Sequence, residues 1–373
     1  MSSYNVLVTG GAGFIGSHLV NALLEKGHKV RILDSLVEQV HGGDGPRHLN
    51  PNAEFIHADV CDAEVVRKAL DGIDVVYHEA AEVGVGQSMY EIARYVKAND
   101  LGTAVVLEEI VKRRGQFKKL LVASSMSIYG EGAYRCDQCG DITASVRPID
   151  RLLDRRWEMS CEICGSELKP VPTPEAKQLI PTSVYAISKQ VQEQYCLVVG
   201  KAYDIPTTAL RYFNVYGPGQ ALSNPYTGVC AIFSSRLLND QPPLIFEDGL
   251  QSRDFVHISD IVQANLLALE NESANYEVFN VGSGTSNTVK EVARLLSHGL
   301  GKDIEPEMIG KYREGDIRHC FADISKARQM LGFQPQVTLS DGIPELLEWV
   351  QEQSAVDDVA AATATLSSYN LVR

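Results

Sequence analysis

The feature that most restricts what this chain can fold into is a set of three glycines, Gly10, Gly13 and Gly16, lying between an apolar stretch and a helical one. Tyr4 to Thr9 reads as a short buried strand, because aliphatic and β-branched residues follow one another without a 3.6-residue period. Phe14 to Leu24 then carries apolar residues at helical spacing up to Gly27, a natural stop. Strand, glycine turn and helix in this order make a phosphate cradle. Gly10 permits the tight turn, Gly13 lets the backbone approach a pyrophosphate, and Gly16 allows close packing. The helix N-terminus adds free N–H groups and the positive end of its dipole. The spacing is GxxGxxG rather than GxGxxG. Residues 28–33 form the next expected strand, which ends in Asp34. A carboxylate there suits the two ribose hydroxyls of an adenosine and repels a 2′-phosphate, which favours NAD over NADP.

Strand signals recur at 53–58, 75–78, 119–123 and 207–212, separated by helical patterns at 63–70, 88–113 and 183–203. This alternation predicts an α/β fold, a doubly wound parallel sheet of Rossmann type with helices on both faces. Asp59 and Val60, at the end of the third strand, are placed to sit against an adenine. Beyond Asn214 the pattern loosens into loops rich in Gly, Pro and Asn, the kind that bind ligands at the C-terminal edge of a parallel sheet. The expected organisation is an NAD-binding domain of residues 1–213 and 247–285, interrupted by an insert at 131–180. A smaller C-terminal lobe for the substrate follows at 214–246 and 286–350. The tail, 351–373, reads as partly helical or loose.

Charge narrows the partners. A net charge of −14 gives no general basic surface for nucleic acid or an anionic membrane, so an anionic ligand must be held by individual arginines. No run approaches the roughly 20 apolar residues of a membrane span, and no charged-then-apolar leader precedes the first strand. The expectation is a soluble, cytoplasmic protein.

Tyr185 stands four residues before Lys189, so on a helix the two side chains share a face. An ammonium beside the phenol favours its anion and turns a weak acid into a base. Among fifteen tyrosines such a pair arises about once by chance, so placement has to carry the inference. Here the pair opens a helix after the strand that ends in Ser124 and Ser125, downstream of the glycine cradle.

With these residues in this order the chain resembles the extended short-chain dehydrogenase/reductase family, in particular its NAD-dependent nucleotide-sugar epimerases and dehydratases. The resemblance runs from Asn5 to Gln351 outside the insert and includes His78-Glu79-Ala80-Ala81, Arg211 to Pro218, Arg253 to His257 and Arg313 to Asp316. It implies a catalytic set in which Ser125 hydrogen-bonds the reacting hydroxyl, Tyr185 takes its proton and Lys189 also holds the nicotinamide ribose. It adds Phe14, Ile15, Ala80, Ala81 and Asn99 to the cofactor-binding residues. Val85, Ser125, Met126, Ser127, Asn214, Arg253, Arg313 and Asp316 become the substrate-binding ones. Two guanidinium forks suit diphosphate oxygens and supply local positive charge. The family's dehydratases carry an acid and a base where this chain has Met126 and Ser127, and neither side chain can do that work. The implied reaction is oxidation and re-reduction at C4, with rotation of a 4-keto sugar between the two.

Within that resemblance, the stretch from Ala81 to Tyr90, the run from Ser125 to Gly130 and the loop from Asn224 to Gly228 look like those of the members acting on dTDP-L-rhamnose, which implies that sugar as substrate, interconverted with dTDP-6-deoxy-L-talose. UDP-glucose/UDP-galactose epimerisation and dTDP-glucose 4,6-dehydration are the alternatives. A non-catalytic NAD(H)-sensing protein is the competing class, and an intact Ser125, Tyr185 and Lys189 set argues against it. The resemblance also implies a homodimer built through the helices at 88–113 and 183–203.

The insert is a separate matter. Cys136-x-x-Cys139-Gly and Cys161-x-x-Cys164-Gly read as two zinc knuckles, which together make a zinc-ribbon-like insert with a four-thiolate site. Four thiolates leave no open coordination position, so zinc here is structural. From Cys136 to Cys164 six acidic residues face four arginines, which disfavours nucleic acid as a partner.

Overall fold

The computed structural model describes residues 3–42, 45 and 49–373. Its centre is a seven-stranded sheet of β1 (Asn5–Thr9), β2 (Lys29–Asp34), β3 (Glu54–His57), β4 (Val75–His78), β5 (Lys119–Ser125), β6 (Thr207–Tyr212) and β7 (Glu277–Val281). The spatial order is β7-β6-β5-β4-β1-β2-β3 and every neighbouring pair is parallel. The order reverses at β1, whose neighbours are β2 and β4, and that reversal opens a crevice at the C-terminal ends of these strands. The expected doubly wound sheet is therefore present.

Strand alternation sends Val6, Val8 and Ile32 to one face, where they pack under α1 (Phe14–Glu25). Leu7 and Leu33 go to the other face, where Val106, Leu107 and Ile110 of α2 (Gly102–Val111) and Cys196 of α3 (Val184–Ala202) cover them. Side chains of α4 (Ile258–Glu270), among them Ile261 and Ala264, complete the first layer. The helix expected over 88–113 is broken into short pieces, with a π-helical turn at Val96–Leu101 before α2. Such a turn accommodates one extra residue, and here it carries Asn99.

Beyond β6, Tyr216, Phe233, Ile245, Leu296 and Leu346 share a core of their own that lies against the open end of the crevice. In the insert, Ala133–Cys136 pairs antiparallel with both Gly140–Ile142 and Lys169–Val171. Its core is small: Tyr134, Ala144, Met159 and Leu168 with Cys136 and Cys161. The tail is ordered, and α5 (Val359–Ser368) lies against the cavity. No helix among the described residues is long and apolar enough to cross a membrane.

Candidate active site

The crevice widens into a cavity of about 1290 Å³ between the sheet edge and the C-terminal lobe. The glycine turn forms one end. Gly10 has φ +69°, and a Cβ there would stand 2.8 Å from the Ala80 backbone. At Gly16 a Cβ would come within 2.2 Å of the Gly10 carbonyl oxygen, whereas at Gly13 it would meet that oxygen alone, at 3.3 Å. The cradle is thus closed behind and open in front, as a phosphate site needs. By their position in the first turn, the N–H groups of Phe14, Ile15 and Gly16 have no intrahelical acceptor, and these residues line the cavity.

Asp34 does a second job. Its carboxylate accepts from Ala12 N at 3.0 Å and from Leu36 N at 2.9 Å, which ties the glycine turn to the end of β2. Asp59, Val60, Ala80 and Ala81 also line the cavity. Asn99 does not. It lies fully buried behind the wall, where Oδ1 accepts from Glu82 N at 2.7 Å and Nδ2 donates to Ser188 Oγ at 2.8 Å. Asn99 therefore joins the 80–84 loop to the helix of Tyr185 and does not reach the cavity, a correction to its expected place among the cofactor-binding residues.

The two serines at the end of β5 have separate fates. Ser124 Oγ donates to Glu193 at 2.6 Å, and Glu193 is held by Arg211 at 2.6 and 2.9 Å, so Ser124 is committed to the interior. Ser125 faces the cavity and accepts from Ser127 Oγ at 2.9 Å. Tyr185 and Lys189 line the same wall from α3, and the Tyr185 N–H donates to Ser88 Oγ at 3.0 Å.

Burial raises the Tyr185 phenol above its ordinary value, with the Ser125 hydrogen bond acting against it. Burial likewise brings the Lys189 ammonium down to about 8, opposed chiefly by Glu79. Lys189 Nζ donates to Gln192 Oε1 at 2.8 Å. Among the protein groups it is Ser125 that lowers the phenol, so the expectation that the Lys189 ammonium ionises it is not met by these residues alone. Sequence reasoning gave Glu79 no role, yet it faces the cavity, accepts from Tyr212 Oη at 3.0 Å, and is pushed up by burial to about 7.

The lobe supplies the cationic end. Arg253 is held by three carbonyl oxygens, of Ser252 and Arg318 at 2.9 Å and of Ile317 at 2.6 Å. Among the described residues no carboxylate pairs with Arg253, so its charge is free for an anion in the cavity. Arg313 differs, since its Nε donates to Asp316 at 2.8 Å and its guanidinium lies 4.6 Å from the centre of the Phe246 ring. Phe246 carried no signal in the sequence. Val85, Met126, Ser127 and Asn214 line the same cavity, so the candidate substrate residues converge although they come from five separate segments.

The insert lies outside this cavity and grips its wall. Arg318 is wholly buried and pairs with Glu158, Glu247 and Asp248. Arg147 donates to Glu247 at 2.7 Å and to the Asp316 carbonyl at 3.1 Å. Glu131 accepts from the Arg318 N–H at 2.8 Å. At the far end of the insert the four Sγ atoms of Cys136, Cys139, Cys161 and Cys164 lie within 4.8 Å of one another, and the Cys136 and Cys164 sulfurs are 3.5 Å apart. A tetrahedral zinc with Zn–S bonds near 2.3 Å spaces its sulfurs about 3.8 Å apart, so the cluster fits that ion in donor type, number and size.

Against known proteins, the model of the NAD dependent epimerase/dehydratase family matches residues 6–149 and 159–282, and the gap falls inside the insert. The chain is 35% identical over 352 residues to a dTDP-L-rhamnose 4-epimerase of Burkholderia thailandensis, covering 93% of this chain and 95% of that one. It superimposes on the UDP-glucose 4-epimerase of Thermotoga maritima, solved with UDP-glucose, with a TM-score of 0.77 and 34% identity over 93% and 99% of the two chains. The UDP-glucuronic acid 4-epimerase of Bacillus cereus, solved with UDP-glucuronic acid and NAD, gives 0.77 and 30% over the same shares.

Proposed function

Since the chain belongs to the NAD-dependent epimerase/dehydratase family and is an epimerase, we propose that it inverts C4 of a nucleotide sugar, with dTDP-L-rhamnose and dTDP-6-deoxy-L-talose as the pair. The observation that carries this reading is the meeting of Ser125, Tyr185 and Lys189 on the wall of a cavity that has the glycine cradle at one end and, at the other, Arg253, which pairs with no carboxylate among the described residues. Gly13, the first turn of α1, Asp34 and Lys189 would hold NAD, which when bound supplies two-electron redox chemistry at C4. Arg253 and Asn214 hold the diphosphate. Ser125 donates to the C4 oxygen and Tyr185 removes its proton, and both act in reverse when the alcohol forms again on the other face. Buried and dry, the phenol gains more from a neighbouring positive charge than it would in water, and that favours the first step.

The 6-deoxy choice rests on Met126, a buried thioether on the cavity wall that suits an apolar C6 methyl group. Incubation with dTDP-L-rhamnose, followed by NMR, is expected to give the C4 epimer without consumption of added NAD. Turnover of UDP-hexoses alone would replace the substrate, and a 4-keto-6-deoxy product from dTDP-glucose would replace the reaction. Failure to turn over any nucleotide sugar would leave a sensor.

Two further assignments accompany this one. Zinc in the four-thiolate cluster is structural, and one metal per chain is expected by elemental analysis. A homodimer forms through Ile92, Val96 and Leu101 with Ile187, Tyr195 and Val198, large apolar side chains exposed on the two adjoining helical segments. Sedimentation is expected to give twice the chain mass, and a monomer would remove this interface.

A further inference from the structure

The C-terminal segment is fastened at both ends, with the cavity beneath its middle. At its start the Arg236 guanidinium donates to Asp357 at 3.0 Å, Asn239 Nδ2 to the Ala355 carbonyl at 2.9 Å, and Ser235 Oγ to the Val356 carbonyl at 3.2 Å. At its end Leu371 to Arg373 runs antiparallel beside Tyr312 to Glu314, with Glu314 N donating to Leu371 O at 2.8 Å and Tyr312 N to Arg373 O at 2.9 Å. Val372 is thereby set opposite Arg313. Tyr369 stacks on Tyr90 at 4.9 Å between ring centres and 4° between planes, and Tyr90 Oη is 2.6 Å from Tyr226 Oη. Two anchors and a stacked ring leave α5 little freedom.

Between these anchors Ala362 and Leu366, one turn apart, face inward and line the cavity, at 8% and 5% exposure. Leu366 comes so close to the 84–88 loop that a Cβ on Gly86 would lie 3.2 Å from its Cδ2. Gly86 is next to Val85, on the wall assigned above to the substrate. A glycine on one side and a leucine on the other make a fitted apolar contact across the mouth of the cavity. Tyr226 lines the same cavity, and its hydroxyl meets that of Tyr90 behind the wall.

From this geometry we infer that Leu366, with Ala362, is a specificity-determining surface that touches the sugar and not the nucleotide. The tail then completes the substrate pocket, and discrimination among sugars depends in part on residues far from the catalytic set. The inference rests on the reading that a nucleotide sugar occupies the cavity. Binding experiments separate the two because they need no turnover.

The test compares binding of dTDP-L-rhamnose, UDP-glucose and the corresponding free dTDP and UDP to the full chain and its Leu366→Asn and Leu366→Ala variants by calorimetry. Placing an amide on an apolar contact is expected to weaken the tighter-bound sugar nucleotide about tenfold or more. Free dTDP and UDP are expected to bind within about twofold of the parent. Equal weakening of sugar nucleotide and free nucleotide, or no change in either, overturns the inference, whatever happens to melting temperature. If both Leu366 variants fail to fold, Gly86→Ala presses on the same contact from the opposite side. It must reproduce the split, and its failure to do so is equally decisive. A parent chain that binds the sugar nucleotides without converting them removes the proposed activity and leaves this wall standing. A parent that binds free nucleotides but gains nothing from the sugar overturns the wall as well.

Discussion

Two regions border the same wall and are held in opposite ways. In the crevice the geometry is a matter of backbone: Gly10 at φ +69° and Gly16 packed so that a Cβ would stand 2.2 Å from the Gly10 oxygen, with the candidate side chains projecting from strand and helix ends. In the insert it is a matter of paired charge and sulfur: Arg147 and Arg318 among Glu131, Glu158, Glu247 and Asp248, with four thiolates beyond them. The first arrangement is local and packed within the main core. The second joins segments more than 150 residues apart, as with Glu158 and His319, over an apolar cluster of only a few side chains. The lesson is a division of labour, in which the crevice gathers the side chains proposed for chemistry and the insert braces one cavity wall through paired charge.

That division can be broken most severely at the phenol proposed as the base. Tyr185→Phe is expected to lower kcat by about a thousandfold while leaving bound NAD and melting temperature unchanged, as read by NMR turnover and absorbance. A parent-like rate would mean that chemistry is not sited there. The mirror experiment is Arg318→Met, which takes a wholly buried guanidinium from the buried Glu247 and from the half-buried Glu158 and Asp248, and is expected to cost about 3 kcal/mol in denaturant unfolding. A loss below about 1 kcal/mol would contradict the role given to the insert network.

Metal removal sharpens the comparison further. Chelation, or Cys161→Ser, is expected to lower hydrogen-exchange protection across residues 133–171 about tenfold while the glycine turn keeps its NAD. Loss of protection in both regions together would show one cooperative unit instead of two. The smallest effect is on acid sensitivity. Burial alone would raise the Glu158 carboxyl, but hydrogen bonds from His319 and Arg318 outweigh it and bring the value from 4.5 down to about 2. A carboxyl depressed in the folded state adds stability that is fully present above pH 4.5 and is lost as the pH falls toward 2. Exchange protection of the insert is therefore expected to decline between those values before that of β1 and β4, and Glu158→Gln is expected to flatten the decline.

Much of this was legible in advance, for reasons that particular residues illustrate. Ser125 was distinguishable from Ser124 only through resemblance, and the structure shows how they differ: both border the cavity, but the Ser124 hydroxyl is committed to the buried Glu193 while that of Ser125 accepts from Ser127. The place of Asn99 was expected from resemblance, with no spacing signal behind it; the structure sets it in a π-helical turn with its amide engaged by Glu82 and Ser188. Phe246 and Glu79 were missed for another reason, since a single aromatic or carboxylate in a loop or after a strand has no pattern to betray it.

The order of elements, the glycine cradle, the Tyr185–Lys189 pair and the two Cys-x-x-Cys knuckles were determined by the sequence alone, because each depends on short spacing or on alternation of strand and helix, whereas Ser125 was picked out by resemblance. Tertiary structure alone decided that Arg313 stacks on Phe246, that Arg253 has no carboxylate partner among the described residues, and that Leu366 packs against Gly86 on the cavity wall. These depend on which distant surfaces are brought together, and that follows from the packing of whole layers, which no local period encodes.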